Sequence, residues 1–193
     1  SLLNACKLTN VKNFIFSSTA AVYVDSLHKV SEKSKVKPKS VYGKTKLKAE
    51  NIIIKNCKKY KINYGILRYF NVVGASPSGN IGLINKGDHL FKNLSMEIFK
   101  EKPIFKIYGQ NYRTPDKTTI RDYVHISDLA EIHIKVLDQI SLLKKSVILN
   151  CGYGKGISVM EVVKEFKKQS RKKVSILIKD RRAGDMEKIV ALN

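Results

Sequence analysis

Apolar positions along this chain fall into short runs that alternate with helical stripes. Asn13-Phe14-Ile15-Phe16 is a compact apolar run ending in Ser17-Ser18-Thr19, the pattern of a buried strand with hydroxyls at its C-terminal edge. A lysine- and serine-rich loop follows, closed by Pro38. Ser40 then offers a helix N-cap, and Tyr42, Lys46, Ala49, Ile53 and Cys57 share one stripe that faces a sheet. Ile62 to Phe70 is rich in β-branched, aromatic and leucine residues and predicts the next strand. Strand, helix and strand in that order predict a right-handed parallel crossover. Residues 71–89, dense in Gly, Ser and Asn, read as a long loop of the kind that carries function.

Further on, a helix is predicted from Leu90 to Lys100, broken by Pro103 before a strand from Ile104 to Tyr108. Ser127 to Ile140 reads as a helix capped by Ser127, Val147 to Asn150 as a strand, Ser158 to Gln169 as a helix capped by Ser158, and Val174 to Ile178 as a last strand. The class is α/β. In a parallel α/β sheet, ligands sit at the C-terminal strand ends, where Ser17-Ser18-Thr19, Tyr42 and Asn71 would converge. Gly152-Tyr153-Gly154-Lys155-Gly156 has G-x-G-x-G rather than G-x-G-x-x-G spacing and is read as a structural turn, not a dinucleotide loop.

Tyr42 and Lys46 carry the most specific local chemistry. A phenol is a poor base at neutral pH, but a cation one helical turn away reaches the same small volume and favours the phenolate. That pairing makes a tyrosine a general base. The competing reading is a core tyrosine beside a surface lysine.

Composition narrows the classes. At 43% apolar, 193 residues can bury a sizeable core, and no apolar run is long enough to span a bilayer. Cys6, Cys57 and Cys151 are widely spaced with no Cys-x-x-Cys pair, so a reduced, cytoplasmic setting without bound metal is expected. The net charge of +21 comes from 31 lysines and only 6 arginines. Nucleic-acid readers lean on arginine, whereas these lysines are spread over every helix face; specific nucleic-acid binding is not expected.

Six segments in order, "NVKNFIFSSTAAVY" (10–23), "SVYGKTKLKAE" (40–50), "LRYFNVVGASPSG" (67–79), "YRTPDKTTIRDYVHISDLAEIH" (112–133), "LNCGYGKGISVMEVV" (149–163) and "RRAGD" (181–185), resemble the extended short-chain dehydrogenase/reductase superfamily and, within it, the UDP-glucose 4-epimerases. The resemblance implies a Rossmann-type doubly wound parallel sheet over residues 1–75. A smaller α/β substrate-binding part spans 76–193 and returns elements to that sheet. It also implies NAD-dependent interconversion of UDP-galactose and UDP-glucose by oxidation at C4, turnover of the 4-keto sugar and re-reduction, in a homodimer when the protein is whole.

By the same resemblance Tyr42 is the base for the sugar 4-hydroxyl, Lys46 assists it and holds the nicotinamide ribose, and Thr19 hydrogen-bonds the 4-oxygen. Ser17, Ser18 and Phe70 join them on the cofactor side. Asn71, His89, Leu90, Lys106, Tyr108, Arg121, Arg182 and Asp185 fall on the UDP side, and guanidinium forks do suit phosphate oxygens. A structural ion pair for Arg121 or Asp122 is the alternative, as is ordinary core for Phe70, and His125 is read as structural. The residue that gates bulkier N-acetylated sugars falls near Ile189.

Departures from the pattern are Val24 and Lys117 at glycine positions and Lys106 where a smaller residue approaches the uracil. The glycine-rich pyrophosphate loop is not in this sequence, which predicts a fragment cut at both ends and little activity from it alone. Thr19-Ala20-Ala21 lacks the acidic groups that sister dehydratases and decarboxylases add. The alternatives kept open are another nucleotide-sugar epimerase or dehydratase of the superfamily, and an inactive fragment with nonspecific nucleic-acid affinity.

Overall fold

The computed structural model describes residues 2–84 and 89–192. Its elements run α1 (Leu2–Leu8), β1 (Asn13–Thr19), a 3-10 turn (Ala20–Val22), α2 (Val41–Tyr60), β2 (Asn63–Tyr69), β3 (Asn71–Val73), α3 (Leu90–Ile98) and β4 (Ile104–Tyr108). They continue with β5 (Ile120–His125), α4 (Ile126–Leu143), β6 (Val147–Cys151), β7 (Gly156–Ser158), α5 (Val159–Ser170), β8 (Ser175–Lys179) and β9 (Lys188–Ile189).

β1, β2 and β6 form a parallel sheet in that order, with Ser17 opposite Leu67 and Leu67 opposite Leu149. Both faces of it are covered, which is why its strands read as nearly unbroken apolar runs. Leu3 and Cys6 of α1 and Ile53 and Cys57 of α2 pack with Ile66 on one face. Leu129, Val136 and Ile140 of α4 pack with Leu67 and Cys151 on the other. The alternation of Ile66 and Leu67 between the two layers is the period-two geometry of a strand.

Past Phe70 the chain enters a second sheet, β3–β5–β7, with β9 also beside β5. A third, parallel pair joins β4 to β8. Leu94, Phe105, Ile107, Tyr123, Val162, Val163 and Val174 make the core beneath this half.

Several expectations shift. β3, β5, β7 and β9 have no counterpart among the predicted elements: β3 and β7 are three residues long and β9 two, and β5 interrupts its apolar positions with Arg121 and Asp122. The fourth helix starts at Ile126, not after Ser127, because His125 takes the cap and its Nδ1 accepts the Ser127 amide at 3.2 Å. α2 and α5 begin where their caps predict. Ser40 Oγ accepts from Gly43 at 3.0 Å, and Ser158 forms a capping box with Glu161. The predicted loop 71–89 includes residues 85–88, which lie outside the described residues. Among the described residues no helix is long and apolar enough to cross a membrane.

Lysine stands where chain geometry favours glycine. Lys61 and Lys144 occupy left-handed C-cap positions with φ of 56° and 50°, Arg171 does so at 53°, and Lys117 has φ 63° in the turn before β5. The Lys117 departure noted from sequence is thus a real backbone substitution at a glycine-type position.

Candidate active site

The C-terminal edge of β1 is built around a close approach of two backbones. A Cβ on Gly43 would lie 2.5 Å from the Ala21 carbonyl oxygen, so only glycine lets the first turn of α2 settle on the 3-10 turn that follows β1. That contact carries Tyr42 and Lys46 to the strand end. Lys46 Nζ donates to the Ser17 carbonyl oxygen at 2.8 Å and lies 5.7 Å from the centre of the Tyr42 ring. Tyr42 is 55% exposed, so it is a surface phenol at a strand end and not a core tyrosine. Thr19 Oγ1 accepts the Ala21 amide at 3.1 Å and holds the 3-10 turn.

Strand alternation separates the three hydroxyls. Ser17 is exposed, and its Oγ accepts from Tyr69 at 2.7 Å. Ser18 points to the opposite face, is 1% exposed and donates to the buried Glu50 carboxylate. The side chain of Ser18, assigned by the resemblance to the cofactor side, belongs to an interior network. Glu50 is clamped by Arg68 through Nη2–Oε2 at 2.7 Å and Nε–Oε1 at 3.1 Å. Arg68 also donates to Tyr23 Oη at 3.1 Å, and Tyr23 donates to Asn150 Oδ1 at 2.6 Å. Burial alone would push the Arg68 guanidinium down, but Glu50 and Tyr23 more than offset this and hold it above its ordinary value. Phe70, assigned by the resemblance to the cofactor side, is 7% exposed and packs with Ala20, Val22, Tyr23 and Ile189.

The residues expected on the UDP side come together. Asn71, His89, Leu90, Lys106, Tyr108, Arg121, Arg182 and Asp185 all line one cleft of about 430 Å³, between β3, the start of α3, β4, β5 and the 182–185 turn. Thr119, Phe91 and Tyr123 are among the other residues of its wall and were not singled out in the sequence. Tyr123 lies inside the "IRDYVH" motif, but nothing in its spacing distinguishes it from core; burial pushes its phenol up to about 12, so it is a neutral wall residue.

Arg121 faces this cleft. Burial pulls its guanidinium below its ordinary value, and Asp185, its nearest carboxylate, is 3.9 Å away. One guanidinium nitrogen is used by the Ile120 carbonyl at 3.0 Å. The alternative of a structural ion pair applies in part: Arg121 pairs loosely with Asp185, and Asp122 makes backbone contacts instead. Asp122 is fully buried and accepts three backbone amides, Tyr153 at 2.9 Å, Gly154 at 2.8 Å and Ala191 at 3.1 Å. This fixes the 152–154 turn as structural, and Gly152 is required because a Cβ there would meet the Asp122 carboxylate at 2.7 Å.

Arg182 stacks on Tyr108, its Cζ 3.7 Å from the ring centre, which presents a planar fork at the cleft. His89 caps α3 by position, with Nε2 donating to the Val72 carbonyl at 2.8 Å, and its buried Nδ1 has no partner among the described residues. Ile189, near which the gating position was expected, is 3% exposed in β9 and packs with Ala20 and Phe70.

A family model described as the NAD dependent epimerase/dehydratase family matches residues 1–152, and the chain belongs to that family. Among curated relatives it is 38% identical to the UDP-glucose 4-epimerase of Azospirillum brasilense over 99% of this chain and 56% of that one. It is 39% identical to that of Drosophila melanogaster over 96% and 55%. The chain thus spans just over half the length of these relatives. Among solved structures, UDP-glucose 4-epimerase from Brucella ovis in complex with NAD superposes with a TM-score of 0.90 at 35% identity, covering 98% of this chain and 59% of that one. The Bifidobacterium longum enzyme in complex with NAD+ and UDP gives 0.89 at 36% identity, covering 98% and 58%.

Proposed function

We propose that the protein to which this chain belongs interconverts UDP-galactose and UDP-glucose by reversible oxidation at the sugar C4, using NAD. The observation that carries this is the convergence on one cleft of Arg121, Arg182, Lys106, Asn71 and Asp185, residues that the resemblance assigns to the UDP side. Similarity to UDP-glucose 4-epimerases, including structures holding NAD or UDP, supports it.

Each residue has a task set by its chemistry. Arg121, short of a close carboxylate, and Arg182, flattened on Tyr108, offer guanidinium forks to the two phosphates. Asp185 accepts from ribose hydroxyls, and Leu90 and Phe91 give the base an apolar wall. Tyr42 takes the proton of the sugar 4-hydroxyl, with Lys46 held beside it by the Ser17 carbonyl. Thr19 lies next along β1 and shares the 4-oxygen.

The exposed hydroxyl of Ser17 and the fixed ammonium of Lys46 form a donor set that fits the nicotinamide ribose of NAD. When bound there, NAD supplies the hydride acceptor and donor. After the first proton leaves, the same Tyr42 returns it, so the chain's own groups end unchanged.

The test is turnover of UDP-galactose by the whole protein. Tyr42→Phe keeps the ring and removes the proton-transfer group, so kcat is expected to fall by about two to four orders of magnitude while UDP binding stays within about twofold. Wild-type turnover in Tyr42→Phe would remove the assignment.

A further inference from the structure

The loop after β4 carries a hydroxyl that the chemistry above does not use. Tyr112 is 3% exposed, and its Oη is closed to solvent with no hydrogen-bond partner among the described residues. An unpaired buried hydroxyl gives up its hydration without return, so phenylalanine would suit the free protein better at this position.

The ring itself is closely held. Gly109, just past β4, has φ +83°, and a Cβ there would lie 2.5 Å from the Tyr112 ring, so a side chain would have to displace it. The Tyr112 amide donates to the Lys117 carbonyl at 3.2 Å. Arg181 stands over the ring with Cζ 4.1 Å from its centre, while Arg182, next in the chain, stacks on Tyr108. Two consecutive arginines thus lie on two tyrosines four residues apart, and they dock the 181–185 turn against the end of β4.

Burial holds the Tyr112 phenol above its ordinary value, raised further by Asp185 and offset in part by Arg181 and Arg121, so it is a neutral O–H. Of those three neighbours the arginines only donate, and Asp185 is the acceptor. In the free protein Asp185 faces Arg121 at 3.9 Å, too long for a hydrogen bond. Its side chain is 35% exposed, and a Cβ on neighbouring Gly184 would meet nothing within 4 Å, so the turn has room to shift.

We propose that Tyr112 is a positioning residue of the nucleotide site: when a diphosphate draws the Arg121 guanidinium, Asp185 takes the Tyr112 hydroxyl as its partner and is fixed for the ribose. This role rests on the reading of the cleft as a UDP site. Because Oη is covered, no ligand atom has to reach it; the ligand acts on it through Asp185. The bound state then gains a hydrogen bond to a carboxylate that the free state lacks.

The test is calorimetric titration of UDP into the whole protein, unaltered and as Tyr112→Phe, Asp185→Ala and the double variant, with the melting temperature of each measured without nucleotide. Tyr112→Phe is expected to melt at or above the temperature of the unaltered protein, since the atom it removes has no partner in the free state. It should bind UDP roughly tenfold more weakly. In the Asp185→Ala background the same change should leave UDP affinity within about twofold, because the group it serves is gone. A tyrosine with only a structural role would instead lower the melting temperature and add its effect in the double variant. Equal UDP binding by Tyr112→Phe, a lower melting temperature without nucleotide, or additive losses in the double variant each overturn the proposal. A whole protein that takes up no UDP removes the UDP reading together with this role, whereas UDP binding that depends on Arg182 but not on Tyr112 removes this role alone.

Discussion

At the scale of the residue, the decisive fact is which way each side chain points from β1. Ser17 and Thr19 sit two apart and share a face, whereas Ser18 between them is drawn inward to Glu50. Sequence shows three consecutive hydroxyls and cannot tell which is the interior one without knowing the partner. That partner, Glu50, sits in the "SVYGKTKLKAE" stretch but looks like one more charged residue on a lysine-rich helix. Its role is visible only once Arg68 meets it from β2. The pair is almost wholly buried and bidentate, so removing one member leaves an uncompensated interior charge. Glu50→Ala should lower unfolding free energy by about 3–5 kcal/mol in a urea titration, and a loss below about 1 kcal/mol would contradict this account of the network.

At the scale of the element, legibility followed local chemistry. α2 and α5 were readable because Ser40 and Ser158 cap their own helices through nearby backbone. α4 was misjudged by a residue or two because a histidine, a rare cap, took the place expected of Ser127. β5 stayed hidden because its polar residues serve other elements: Asp122 holds the 152–154 turn and the residues after β9, and Arg121 faces the cleft. The lysine-rich composition leaves its own mark on the helix ends. Lys61 and Arg171 hold left-handed C-caps that glycine occupies without strain. Lys61→Gly and Arg171→Gly should each raise stability by about 0.5–1 kcal/mol and add in the double variant, since they end different helices. A drop in melting temperature for both single variants would show that the lysine and arginine stems contribute more than the backbone costs.

At the scale of the whole molecule, two groups of residues far apart in sequence meet a single three-dimensional requirement. Residues 17–46 build a strand edge with an exposed phenol and an ordered ammonium. Residues 71–185 build a cleft rich in guanidinium and amide groups. The order of segments made this layout readable, because a parallel sheet places its C-terminal strand ends together. What sequence could not supply was the second sheet, whose strands of two to six residues are too short for periodicity to register.

The central claim is that this cleft takes a nucleotide diphosphate sugar. It is tested most directly by isothermal titration calorimetry of UDP-glucose into the chain and into Arg182→Ala. The account predicts saturable one-site binding that weakens by roughly tenfold to a hundredfold in Arg182→Ala, as loss of a charge-assisted hydrogen bond requires. A folded chain that takes up no UDP-glucose, or binds it equally well without Arg182, would contradict it.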